Sequence, residues 1–255
     1  MRPAPGKKAI FRFYEELNDF IPARERKRDR VYIFNGNPSV KDAIEAQNVP
    51  HTEVDLVLIN GHPASFSHRL HDGDRVSVYP VFESFDIGAV KKDPAGPARQ
   101  SRFILDVHLG KLAKLLRMSG FDTCYRNDLD DDEIIDRGEK ENRIIITRDI
   151  GILKNNWVQK GYYVRSQNPR EQLKEVIIRF QLQSSIRFLS RCMECNGLIT
   201  KTEKKEVEKD LNTGTRNYFE KFFRCSNCRK IYWEGSHFER MQAFLRDLRE
   251  SLDID

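Results

Sequence analysis

The stretch RIIITRD, residues 143 to 149, runs three isoleucines into a carboxylate. Another apolar stretch, FIL, is followed at once by Asp106, and an acidic run from Asp128 to Glu133 follows the segment DTCYR. Carboxylates in such places have two readings. Aspartate is a favoured N-cap, taking up a helix N–H for about 1 kcal/mol. Carboxylates that converge on one edge of a sheet instead repel unless a cation lies between them. Hard divalent ions such as Mg²⁺ or Mn²⁺ take oxygen ligands and activate water against a phosphodiester. Asp106, an acid of the 128–133 run and Asp149 are therefore candidate ligands of Mg²⁺ or Mn²⁺.

A second set of donors is sulfur. CMEC (Cys192, Cys195) and CSNC (Cys225, Cys228) are two CxxC knuckles with 29 residues between them. Four thiolates in tetrahedral geometry suit Zn²⁺, and with every position filled by cysteine the zinc is structural. Arg191, Lys221, Phe222, Phe223, Arg224, Arg229, Lys230, Tyr232 and Trp233 stand around the knuckles. Interleaved in this way they would grip and stack single-stranded RNA; equally, Phe222, Tyr232 and Trp233 would serve as the ribbon's own core. The fifth cysteine, Cys124, has no CxxC partner and is expected to be buried and inert. His108 lies two residues from Asp106 and is a weak candidate for substrate contact.

The elements that position these groups follow from periodicity. From Phe103 onward, strand and helix patterns alternate, which predicts an α/β unit with a largely parallel sheet. An apolar strand buried on both faces belongs inside such a sheet, and ligands gather beyond the carboxyl ends of its strands. Leu109, Leu112, Ala113 and Leu116 form the core stripe of a helix stopped by Gly120. Lys111, Lys114 and Arg117 recur three apart on another face, suited to a phosphate backbone, and Arg148 is a further candidate RNA contact. Asn168, Pro169 and Glu171 form a helix start, and Ser236 with Glu239 reads as a capping box before the stripe Phe238, Met241, Leu245 and Leu248.

Residues 7 to 87 read as strand, strand, helix, strand, strand, with Ser39 as the helix N-cap. KKDPAGPARQS, residues 91 to 101, reads as a linker. The expected boundaries are 1–90 for the first domain, 91–101 for the linker, 102–185 for the α/β domain, 186–235 for the zinc ribbon and 236–255 for a terminal helix.

The motifs FILDVHLGKLAKLLRMSGFDT, DDDEII, RIIITRDIGILK, GYYVRSQNPREQLKEVIIRFQL, SRCMECNG and FFRCSNCRKIYWEGSHFERM occur in order between residues 102 and 241. They resemble the successive motifs of the PIN-like ribonuclease family named after the carboxy-terminal region of the Mut-seven protein. The resemblance implies a PIN-like parallel sheet whose strand-end acids bind Mg²⁺ or Mn²⁺ and hydrolyse RNA, endonucleolytically by analogy with the wider class. By motif, Asp106, Asp131 and Asp149 would be the catalytic metal ligands, with Asp132 and Glu133 as competitors for the middle place. The segment ILKNNW after Asp149 offers amides where such nucleases often carry a fourth acid. VLINGHP and LHDGDRVSVYP resemble the ubiquitin-like β-grasp domains of the sulfur-carrier group. Those carriers end in a free diglycine and this segment does not, so the unit reads as an interaction or targeting module through which a protein partner would dock, against the alternative of a scaffold that packs on its neighbour.

The expected class is thus α/β: a PIN-like parallel-sheet domain with an N-terminal ubiquitin-like β-grasp domain and a C-terminal zinc ribbon. Charged residues make up 33 % of the chain and the net charge is +5, a mild excess that suits an anionic partner such as RNA. No apolar run approaches the roughly 20 residues of a membrane span, and MRPAPGKK lacks the apolar core of a secretory signal, so a cytoplasmic protein without membrane attachment is expected. The expected activity is Mg/Mn-dependent RNA hydrolysis. The competing expectation is a non-catalytic RNA-binding or ribosome-associated adaptor that works through the ribbon and the β-grasp module.

Overall fold

The computed structural model describes residues 6–80 and 102–252; the expected linker and the run VFESFDIGAVKK lie outside the described residues. The chain divides into two compact units, one of Met1–Arg99 with Asp149–Tyr163, the other of Gln100–Arg148 with Val164–Asp255.

The first unit opens with strand β1 (Lys7–Phe13) and strand β2 (Arg30–Phe34). Helix α1 (Val40–Ala46) comes next, and its N-cap Ser39 accepts from the Asp42 N–H while the Asp42 carboxylate reaches back to the Ser39 N–H. That reciprocal pair satisfies two donors that a helix start leaves open. Strands β3 (Val54–Ile59) and β4 (His62–Ala64) form a hairpin around Asn60 and Gly61, whose φ values of 51° and 84° give the left-handed pair that a two-residue turn needs. Strand β5 (Arg75–Pro80) completes the order β2-β1-β5-β3-β4, in which β1 and β5 run parallel and the other pairs antiparallel. Alternation along β1 sends Ala9, Phe11 and Phe13 inward, where they join Val40, Ala43 and Ile44 of α1 in one core.

The second unit begins with strand β6 (Arg102–Leu105), helix α2 (Gly110–Met118) and strand β7 (Asp122–Cys124). The predicted core stripe of α2 is buried. The helix ends in a Schellman motif: Gly120 has φ +96°, its N–H reaches the Arg117 carbonyl, and the Phe121 N–H reaches the Leu116 carbonyl. Helix α3 (Asp131–Lys140) and strand β8 (Ile144–Thr147) come after it. Strand β6 pairs parallel with both β7 and β8, and its Phe103, Ile104 and Leu105 are wholly buried.

The chain then returns to the first unit for helix α4 (Ile150–Leu153) and strand β9 (Gly161–Tyr163), the latter starting one residue earlier than YYVRS suggested. Within that unit Ile150 and Tyr163 pack on the core, His51 Nε2 bonds the Val158 carbonyl at 2.9 Å, and the buried Glu53 accepts from the Tyr163 N–H at 2.6 Å.

Back in the second unit, helix α5 (Pro169–Arg179) carries Asn168 as N-cap and Pro169 at its first position, as the spacing predicts. Strand β10 (Ile199–Thr202), helix α6 (Lys204–Val207), helix α7 (Thr213–Tyr218), strand β11 (Phe222–Cys225) and strand β12 (Ile231–Trp233) form a small antiparallel sheet in the order β10-β11-β12 with a helical insertion. The insertion accounts for the long gap between the knuckles. Helix α8 (Ser236–Leu252) closes the described chain. Ser236 is its first helical residue rather than its cap, because the Glu239 N–H bonds the Gly235 carbonyl; the capping box predicted there is corrected accordingly. Phe238 of α8 stacks on Phe223 and meets Phe188 edge-on, so the helix is docked by aromatic contact with the ribbon.

Candidate functional site

The register of two parallel strands builds the first candidate. Leu105 of β6 faces Ile146 of β8, so the next residues, Asp106 and Thr147, are neighbours at the carboxyl edge of the sheet. The Thr147 hydroxyl donates to Asp106 Oδ2 at 2.7 Å, and the His108 N–H donates to Oδ1 at 3.0 Å. Asp106 is 5 % exposed and caps the short turn Val107–Leu109. Both contacts come from neutral donors. Each carboxylate oxygen accepts one hydrogen bond, leaving further acceptor capacity at a buried anion.

The acidic run is laid out differently from Asp106. Asp128 pairs with Arg126. Asp130 is the N-cap of α3, accepting from the Glu133 N–H at 2.8 Å while the Glu133 carboxylate reaches the Asp130 N–H. Asp131 and Asp132 stand next in the exposed first turn. Because β7 runs parallel to β6, this turn and Asp106 lie toward the same edge of the second unit's sheet. Asp149 belongs to the first unit, is exposed, and caps α4 by accepting the Gly151 N–H at 2.6 Å. Among the described residues of the second unit, Asp106, Asp131, Asp132 and Glu133 form no group of three whose ligand atoms all lie within 4.8 Å.

The basic residues divide two and two. Lys111 and Lys114 are exposed on α2, the latter 3.8 Å from Glu194. Arg117, the third member of that row, is 4 % exposed and turned inward. Its guanidinium donates to the carbonyls of Thr123, Met193, Glu194 and Tyr125 at 2.7–3.2 Å. Arg148 likewise spends its Nη1 on the carbonyls of Val164, Arg165 and Ser166. Arg117 holds the first cysteine knuckle to β7, a structural task that regular spacing along the helix does not disclose.

The four sulfurs form a second cluster. Cys192 Sγ lies 3.5 Å from Cys228 Sγ, and Cys195 Sγ lies 3.4 Å from Cys225 Sγ, with all four within 4.8 Å of one another. Disulfide sulfurs would sit at about 2.0 Å, whereas a tetrahedron with ~2.3 Å Zn–S bonds has edges of roughly 3.8 Å. The arrangement could hold a metal ion such as zinc. Around it, the Tyr232 hydroxyl lies 3.1 Å from Cys192 Sγ and accepts the Met193 N–H, and the Asn227 N–H points at Cys225 Sγ. Such outer contacts orient metal ligands.

The four thiols also act on one another electrostatically. Burial opposes ionisation of Cys195, but the Gly197 N–H and the adjoining sulfurs outweigh it and bring the thiol down to about 7. Burial, reinforced by the crowding of Cys195, Cys192 and Cys225, pushes Cys228 up to about 12. Without a cation, one thiolate discourages the next.

The aromatic residues of the ribbon divide as well. Phe222 and Tyr232 are buried in its core, while Trp233 is 37 % exposed. Cys124 is partly buried with a free thiol, and His108 is exposed. No helix among the described residues is long and apolar enough to cross a membrane.

Among curated proteins, no relative matches the chain. The crystal structure of SAMP1 from Haloferax volcanii is similar over 29 % of this chain and 96 % of its own length, at 15 % identity and a TM-score of 0.24. The family profile described as Mut7-C ubiquitin matches residues 6–86, marking the first unit's main segment as a ubiquitin-like domain. The profile described as Mut7-C RNAse domain matches residues 101–245, more than half of the chain and most of the sequence beyond the ubiquitin-like domain. The chain belongs to the Mut7-C RNAse domain family.

Proposed function

We propose that the protein is a metal-dependent endoribonuclease that hydrolyses RNA phosphodiester bonds. One observation carries the reading: Asp106 is a buried carboxylate at the end of the central strand whose contacts are a hydroxyl and an amide. Buried charges are normally paired or bound to metal. Mg²⁺ or Mn²⁺ fits that place, since such ions take one or two carboxylates and complete their shell with water and phosphate oxygens. Asp131 is the second candidate ligand, from the exposed first turn of α3, and Asp149 is the third by its motif. When bound, the ion would lower the barrier to attack of water on the phosphodiester. Thr147 fixes the orientation of the Asp106 carboxylate, Lys111 and Lys114 offer charge to the phosphates, and Trp233 offers a stacking face. Zinc is the ion proposed for the four cysteines, in a structural role. The ubiquitin-like unit is proposed to dock a protein partner.

Cleavage of single-stranded RNA in Mn²⁺ and in Mg²⁺ tests this. Asp106→Asn, which keeps one of the two acceptor oxygens and removes the charge, is expected to reduce cleavage by about 100-fold or more, on the scale of losing one transition-state contact. Wild-type protein without metal-dependent cleavage, or a variant that cleaves equally well, overturns the enzyme reading.

A second reading has its own support. Asp106, Asp130 and Asp149 each cap a helix or turn, so their positions have a structural explanation without metal. On that reading the protein is an RNA-binding adaptor, and the same experiment returns RNA binding with no cleavage.

A further inference from the structure

The ubiquitin-like unit carries a second set of metal donors, unconnected with the cysteines or with Asp106. The loop SFSHRLHDGD, residues 65 to 74, brings one ligand atom each from His68, His71 and Asp74 within 4.8 Å of one another. The backbone that presents them is fixed at several points. Leu70 is wholly buried and its N–H bonds the Pro38 carbonyl, the Val40 N–H bonds the His68 carbonyl, and the Gly73 N–H bonds the Lys8 carbonyl. Gly73 supplies φ +86°, a left-handed turn that brings Asp74 back toward His71.

Asp74 is buried and its orientation is set. Oδ1 accepts from Asn60 Nδ2 at 2.9 Å, and Oδ2 accepts from the His71 N–H at 2.8 Å. Beside it, His71 is exposed and His68 partly exposed. The His71 side chain is 70 % exposed, its Nδ1 lies 3.9 Å from Asp74 Oδ2, and its ring meets that of His68 edge-on at 6.1 Å between centroids. Ligands of one ion at ~2.0–2.1 Å sit roughly 3.0–3.4 Å apart, so rotation of exposed rings on a fixed backbone suffices to close the set.

We infer that His68, His71 and Asp74 form a binding site for a divalent transition-metal ion. Two imidazole nitrogens and one carboxylate oxygen select borderline ions, with Zn²⁺, Ni²⁺ and Cu²⁺ ahead of the hard Mg²⁺ and Ca²⁺, which prefer oxygen alone. The rigid carboxylate sits beside two imidazoles, and three protein ligands leave a position for water or for a donor from a bound partner.

Zn²⁺ is the probe. The full chain, first loaded with one equivalent of Zn²⁺ for the cysteines, is titrated with further Zn²⁺ by calorimetry, and the imidazole nitrogens are followed by long-range ¹H–¹⁵N NMR. One additional equivalent is expected, with ring-nitrogen shifts at His68 and His71 and none at His62. The double variant His68→Ala/His71→Ala, changed only at solvent-accessible side chains, is expected to lose that equivalent and keep the cysteine-bound one. Absence of a second equivalent in the wild type overturns the inference, and so does its persistence in the double variant or a shift confined to other histidines.

Discussion

The four cysteines and Asp106 are two places in the second unit suited to a cation, and they are built in opposite ways. Each cysteine pair is placed by its own knuckle, so two short backbone turns deliver all four sulfurs within 4.8 Å. Asp106 is placed by the register of β6 against β8 and has one hydroxyl and one amide for company. The difference shows what each kind of site demands. Donors two residues apart converge through local geometry, whereas acids on separate strands converge only if they are released from local work. Here Asp130 remains committed to the start of α3.

Removing the zinc proposed for the cysteines should have the largest effect on this contrast. Structural zinc in small domains contributes on the order of 10 kcal/mol, so chelation is expected to unfold β10–β12, read as lost near-ultraviolet circular dichroism and a red shift of Trp233 emission. The ubiquitin-like unit should keep its NMR dispersion. A ribbon that stays folded in chelator would erase the contrast.

Arg117 comes next, because it links the sulfur site to the sheet that carries Asp106. A Zn²⁺ ion with four thiolates bears a net charge of −2, and the guanidinium is electrostatically coupled to Cys192 and Cys195. Arg117→Met removes the donor to four carbonyls and is expected to cost about 3 kcal/mol in urea denaturation, as loss of charged hydrogen bonds does. Arg117→Lys should recover little, since an ammonium cannot span the four acceptors. A neutral Arg117→Met would mean that the knuckle holds to β7 without it.

Asp122 makes a third link. Burial disfavours its charge, but Arg143 and Asn196 outweigh that through hydrogen bonds, with Arg143 and Arg191 adding charge, and hold its carboxyl below the usual range. A depressed folded value means that the stabilisation is complete above the unfolded value of about 3.9 and lost as pH falls through the folded one. Asp122→Asn is therefore expected to cost about 1–2 kcal/mol at neutral pH, discounted from the loss at a fully buried pair. The variant should lose less stability than wild type below about pH 4, checked by denaturation across that range.

The smallest effect separates capping from chemistry within the acidic run. Asp130→Ala is expected to lower stability by about 1 kcal/mol, the value of an N-cap, with RNA cleavage unchanged. Asp131→Ala is expected to lower RNA cleavage. Equal cleavage loss in both would show that the run acts through the helix start rather than through one ligand.

Much of this was legible in the residues themselves. The knuckles, the Asn-Gly turn, Gly120 and the caps at Ser39 and Asn168 are local devices, each fixed by chemistry within a few residues. Asp130 as the cap was also open to reading, because Glu133 stands three residues on, the spacing of a reciprocal box. The burial of Arg117 was not, since its spacing from Lys111 and Lys114 is the same whether the helix end meets solvent or a cysteine knuckle. Ser236 failed as a cap because Gly235 took the role. The assignment of residues 149–163 to the first unit has no local signal at all, for it rests on contacts with residues about a hundred positions earlier.

That last feature bears on how the gene can be rearranged. The ubiquitin-like unit draws Ile150 and Tyr163 into its core from a stretch bracketed on both sides by the sequence of the other unit. A stop codon near residue 99 would leave it short of that packing, and a nuclease-type unit transplanted alone would carry an orphaned insert. The two modules are woven through one reading frame and are expected to be inherited together rather than shuffled as interchangeable cassettes.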